Sequence, residues 1–75
     1  MSRHLYTEAG AVVGYFDQDG KYLYTSDGKV IAHFDDQRTY MYTQAGAVYG
    51  YVSQDGKYLY RTAGTVIGYF EPPLD

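Results

Sequence analysis

Tyr22-Leu23-Tyr24-Thr25-Ser26-Asp27-Gly28-Lys29-Val30-Ile31-Ala32-His33-Phe34-Asp35-Asp36-Gln37-Arg38-Thr39 is one unit of a repeat. Shifted by 18 residues in either direction, its pattern returns. Tyr6, Tyr24, Tyr42 and Tyr60 share a column, as do Gly10, Gly28, Gly46 and Gly64, and Val12, Val30, Val48 and Val66. Four units cover residues 4–21, 22–39, 40–57 and 58–75 without an insertion between them. A fixed period of this kind implies an array of one supersecondary unit. The expectation is a single repeat domain over 1–75.

The unit is all-β. Its 11 tyrosines, with valine, phenylalanine and threonine, favour strands, and glycine interrupts every window that could carry a helical apolar stripe. Each unit predicts a short strand followed by a longer one. The short strands are His4–Thr7, Lys21–Thr25, Thr39–Thr43 and Lys57–Arg61; the long ones are Ala11–Asp17, Lys29–Asp35, Ala47–Ser53 and Thr65–Glu71. Within units, the turns are Glu8-Ala9-Gly10, Ser26-Asp27-Gly28, Gln44-Ala45-Gly46 and Thr62-Ala63-Gly64. Between units they are Gln18-Asp19-Gly20, Asp36-Gln37-Arg38 and Gln54-Asp55-Gly56. Short strands at this spacing with glycine turns read as consecutive hairpins.

Turn chemistry sets the expected register. A two-residue loop would force Ala9, Ala45 and Ala63 to positive φ, at about 1 kcal/mol each. A three-residue loop leaves only the glycine there, as a bulge. Applied to every turn, this places Asp17 opposite Lys21 and Ser53 opposite Lys57. Tyr6, Tyr22, Tyr24, Tyr40, Tyr42, Tyr58 and Tyr60 then share one buried face with Phe16, Phe34, Phe70 and the glycines Gly14, Gly50 and Gly68. The glycines are expected to make room for tyrosine rings. Leu5, Leu23, Met41, Leu59, Val13, Ile31, Tyr49 and Ile67 run along the opposite, outer face.

Spacing also predicts closure. Consecutive turn glycines alternate between 10 and 8 residues apart, as from Gly10 to Gly20 to Gly28. The difference is a register step of two residues per unit, and four units accumulate a shear of about eight, which suits an eight-stranded barrel with strands tilted roughly 36°. An up-and-down antiparallel meander closed in this way has no free edge. Arg3 is expected opposite Glu71, His4 opposite Phe70 and Tyr6 opposite Gly68. Seven inward tyrosines would crowd so narrow a barrel, which keeps open an open sheet completed by dimerisation. A β-solenoid with one unit per coil is the other alternative, although its stacking would set Asp17 over Asp35.

The stretch Tyr22-Leu23-Tyr24-Thr25-Ser26-Asp27-Gly28-Lys29-Val30 resembles the YD repeat of Rhs and teneurin-type shell proteins. That pattern is Tyr, any, Tyr, Asp, any two, Gly, Arg and an aliphatic residue. Threonine or arginine stands where the family has aspartate, and Lys29 alone is basic where it has arginine. The resemblance implies a hairpin that winds with its neighbours into a sheet. Four units are too few for a shell that encloses cargo, so the shell function is not carried over.

Composition narrows the function. The net charge of −3 disfavours a nucleic-acid partner. No apolar run reaches the length of a membrane-spanning helix, and the first residues do not lead into a signal-peptide core, so the expected location is cytoplasmic. With no cysteine, no disulfide supports so small a domain. Asp17-Gln18-Asp19-Gly20 has the start of a calcium loop but lacks the later ligands, and reads as a solvated turn. No metal, cofactor or catalytic residue is expected. His33, in the column of Tyr15, Tyr51 and Tyr69, has no nucleophile or carboxylate placed beside it in every unit. Arg38 replaces a turn glycine, either as a contact residue or as a mildly strained member of a looser turn.

The candidate binding residues are Tyr15, His33, Tyr49, Tyr51, Tyr69, Arg61 and Arg38. Tyrosine-rich apolar stripes on small proteins mark interaction sites. The expectation is a non-enzymatic module that self-associates, most simply as a dimer, or binds another protein through its tyrosine-rich sheet. A carbohydrate-binding module using tyrosine stacking is the alternative.

Overall fold

The computed structural model describes residues 3–74. Eight antiparallel strands follow one another round a closed barrel, each paired with its neighbours in sequence and the last with the first. The short strands are β1 (His4–Tyr6), β3 (Tyr22–Tyr24), β5 (Tyr40–Tyr42) and β7 (Tyr58–Tyr60). The long ones are β2 (Val12–Phe16), β4 (Val30–Phe34), β6 (Val48–Val52) and β8 (Val66–Glu71). Antiparallel pairing rules out the solenoid, and closure rules out the open sheet.

The turns inside units have the expected three residues. The amide of Thr7 donates to the Ala11 carbonyl and the Gly10 amide donates back to Thr7, with Gly10 at φ 94° and Ala9 spared a positive φ. The other three units repeat this pattern. The links between units differ. The Asp17 amide donates to Tyr22 rather than to Lys21, so the link is a four-residue loop. Lys21 therefore does not face Asp17; its amide donates instead to the Asp17 carboxylate, at 3.1 Å. Asp35 receives the Thr39 amide in the same way, at 2.9 Å. In the third link the Lys57 amide donates to Asp55, at 3.1 Å, and Ser53 pairs elsewhere with Tyr58.

A β-bulge in every hairpin overturns the expected face of the tyrosines. Tyr6 pairs with Val12, but Leu5 pairs with Gly14, leaving Val13 as the extra residue. Ile31, Tyr49 and Ile67 are extra in the same way in the other hairpins. The extra residue breaks the alternation along the long strand. Gly14 and Phe16 still point inward, but they share the interior with Leu5 and Leu23. The tyrosines point outward. The physical gain is that the narrow interior takes leucine and methionine, and no phenol hydroxyl has to find a buried partner.

The core is built in layers. Leu5, Leu23, Met41 and Leu59, all fully buried, form one layer from the odd strands. Phe16, Phe34 and Phe70 form the next, with ring centroids 5.4, 5.9 and 6.1 Å apart, and Val52 holds the fourth place. Gly14, Ala32, Gly50 and Gly68 lie on the other side of the leucine layer. Beyond them the bulge residues Val13, Ile31, Tyr49 and Ile67 pack on the core instead of lying along the outer face. Leu74 closes the phenylalanine end, with its amide donating to the Gly56 carbonyl at 2.8 Å.

Each inward residue of an odd strand faces glycine or alanine on one side and, two positions further on, phenylalanine or valine on the other. Leu23, between Ala32 and Phe16, is an example. This is the expected step of two residues per hairpin, and four hairpins give the shear of eight that closes the barrel. The seam itself lies one residue from its expected register: Glu71 faces His4, Phe70 faces Leu5 and Tyr69 faces Tyr6. The four-residue links cause the offset, because the seam follows the register of the link-joined pairs. Arg3 is thereby released from Glu71, and its Nε donates to the Pro72 carbonyl at 2.8 Å.

Candidate functional site

The outer wall is an aromatic belt. Each hairpin contributes three outward rings: two from the short strand and one from the long strand. Ten tyrosines and two histidines, His4 and His33, make up the belt. Link-joined strands and the β8–β1 seam set rings side by side: Tyr15 stacks with Tyr24 at 5.7 Å, Tyr51 with Tyr60 at 5.6 Å and, at the seam, Tyr69 with Tyr6 at 5.6 Å. His33 takes the fourth such place beside Tyr42, at 6.2 Å, and also touches Tyr22 at 5.8 Å. The stacked partners shield one another, whereas Tyr22, Tyr40 and Tyr58 remain 38, 42 and 37 % exposed. These three belong in a candidate surface and were absent from the sequence-based set. Their omission follows from the bulge, which moved their column from the interior to the wall.

The structure divides the seven candidate residues among four places. Tyr15, His33, Tyr51 and Tyr69 lie together in the belt. Tyr49 does not; it is the extra residue of its bulge and packs against the core. Burial pushes its phenol pKa up, and the nearby Arg61 guanidinium pulls part of that shift back. Arg61 begins the last hairpin turn, at the end of the barrel opposite the links.

Arg38 lies at the link end, with φ 58°, the one non-glycine residue at positive φ among the described residues. Its guanidinium donates to the Asp19 carbonyl at 3.1 Å. Arg3 reaches the same place from the chain start, donating to Pro72 and, at 3.3 Å, to Pro73. A β-carbon at Gly20 would meet both guanidinium groups, at 3.6 Å from Arg38 and 3.9 Å from Arg3. Two clefts flank this pair. The larger, of about 370 Å³, runs past Arg38 to Val52, Ser53, Gln54 and Leu74. The smaller, of about 290 Å³, is lined by Asp17, Asp19 and Pro72.

Among the described residues no group of three or more His, Cys, Asp or Glu side chains is placed to hold a metal ion, and no buried side-chain polar atom lacks a partner. No helix is long and apolar enough to cross a membrane. The strands, of three to six residues, are shorter than the nine to eleven of a membrane-spanning strand. Comparison with protein-family models, curated proteins and solved structures finds no match.

Proposed function

We propose that the protein is a non-enzymatic binding module that self-associates as a dimer through the aromatic belt. The observation that supports this reading is that charge is confined to the rims of the aromatic surface, where Lys21 Nζ reaches over the Tyr22 ring at 5.9 Å. Glu71 is the only Asp, Glu, Lys or Arg residue in the eight strands; the other charged side chains among the described residues lie in turns and at the barrel ends. Two copies meeting wall to wall therefore bring rings against rings without setting like charges face to face. Ring pairs of the kind already formed between strands add about 0.5–1.5 kcal/mol each beyond area burial. Because the belt runs round the barrel, the same patch can serve both partners, as a two-fold contact requires. A carbohydrate-binding reading draws less support, because the belt is convex and its stacked rings cover one another's faces.

Sedimentation velocity from low to high micromolar concentration tests the proposal. The expected result is a concentration-dependent dimer that the triple variant Tyr22→Thr, Tyr40→Thr, Tyr58→Thr converts to a monomer with an unchanged circular dichroism spectrum. Threonine keeps the strand propensity while removing the rings. A wild-type chain that stays monomeric throughout, or a variant that still dimerises, would overturn it.

A further inference from the structure

We propose that the larger link-end cleft binds a small organic phosphate, with its phosphate group held between the guanidinium groups of Arg3 and Arg38. The repeat itself draws attention to this place. Two of the three links read Gln-Asp-Gly-Lys, at 18–21 and 54–57, whereas the middle one reads Asp36-Gln37-Arg38-Thr39. Three of these substituted residues, Gln37, Arg38 and Thr39, line the larger cleft. So does Val52, which stands where the other units place phenylalanine. Departures from the repeat in two separate units thus converge on one cavity.

The departures also have a common chemistry. Arg38 adopts a left-handed backbone that glycine would hold without strain, and strain of this kind collects where a side chain is needed for function. Among the described residues the hydrogen bonds that Arg38 and Arg3 make are to backbone carbonyls, with no carboxylate paired to either guanidinium, and further N–H donors stay open. A planar fork of donors suits the paired oxygens of a phosphate. Val52 removes the ring that would fill the cleft. Among the described residues no carboxylate lines this cleft; Asp17 and Asp19 line only its neighbour. The neutral polar groups of Gln37, Thr39, Ser53 and Gln54 suit a hydroxylated body attached to the phosphate. The volume, about 370 Å³, is at the lower end of ordinary small-ligand sites.

Amide NMR titrations of the whole chain with inorganic phosphate, glucose 6-phosphate and glucose test the proposal. Saturable shifts are expected at Gly20, Gly56 and Leu74 with both phosphates, at lower concentration with glucose 6-phosphate, and none with glucose. Arg38→Gly restores the residue of the sister links, so it should melt no lower than the wild type while its affinity falls about ten-fold or more. Arg3→Gln should weaken binding through the other guanidinium. An absence of saturable shifts at these amides, or undiminished binding by folded Arg38→Gly, overturns the phosphate site. Glucose 6-phosphate binding no tighter than inorganic phosphate overturns the role given to the neutral wall.

Discussion

A β-carbon on Gly50 would come within 2.7 Å of the Tyr60 carbonyl oxygen, 2.9 Å of Ile67 Cδ1 and 3.3 Å of Leu59 Cγ. The glycine makes room for a neighbouring strand and the leucine layer, and the tyrosine ring lies on the other side of the sheet. A backbone oxygen in a closed barrel cannot step aside as a side chain can. Gly50→Val is therefore expected to cost about 1–3 kcal/mol through overpacking, even though valine is the better strand former; a raised Tm would refute the close approach. Tyr49 carries the second prediction at this scale. Its raised pKa means that the folded chain keeps the phenol proton over a pH range in which the unfolded chain has lost it. The stability from that difference is complete below the ordinary tyrosine pKa of about 10 and is lost as pH rises through the raised value. Melting curves of wild type and Tyr49→Phe should run parallel from about pH 7 to 9 and separate above about pH 10, with the wild type falling further. Curves that stay parallel throughout would mean that burial does not shift this phenol.

Hairpins, the three-residue turn and the register step were legible in the sequence because each depends on counting or on the chemistry of one residue. Ala9 beside Gly10 selects the turn, and the turn spacing contains the step. The bulge was not legible by counting, since an extra residue in the long strand leaves the 18-residue period intact. It did leave a trace: Gly14, Gly50 and Gly68 sit inside strands, where glycine marks a bulge or a close backbone approach. A register without the bulge and with three-residue links exchanges the leucine and tyrosine columns. Paired substitutions on one strand check the corrected assignment. Leu23→Ala should cost about 2–5 kcal/mol, because Leu23 is fully buried. Tyr22→Thr, on the exposed wall, should cost less than about 1 kcal/mol. Chemical denaturation that reversed this order would return the tyrosines to the interior. The link-end cleft escaped for a different reason. Arg38 stood out as a substituted glycine, but Val52 and Thr39 become significant only when the fold brings their units together.

Across the whole molecule, the seam between β8 and β1 is equivalent to the joints made by the links. Tyr69 against Tyr6 and Phe70 against Leu5 repeat Tyr15 against Tyr24 and Phe16 against Leu23. The barrel is therefore a ring of four hairpins in which one joint lacks a covalent connection. Which joint lacks it makes no difference to the pairing. A loop of the link type from Glu71 to His4, together with a cut in the link Gln18-Asp19-Gly20, yields a circular permutant that starts in the second hairpin and keeps every strand partner. Peptide connectivity sets where this chain starts without setting its architecture.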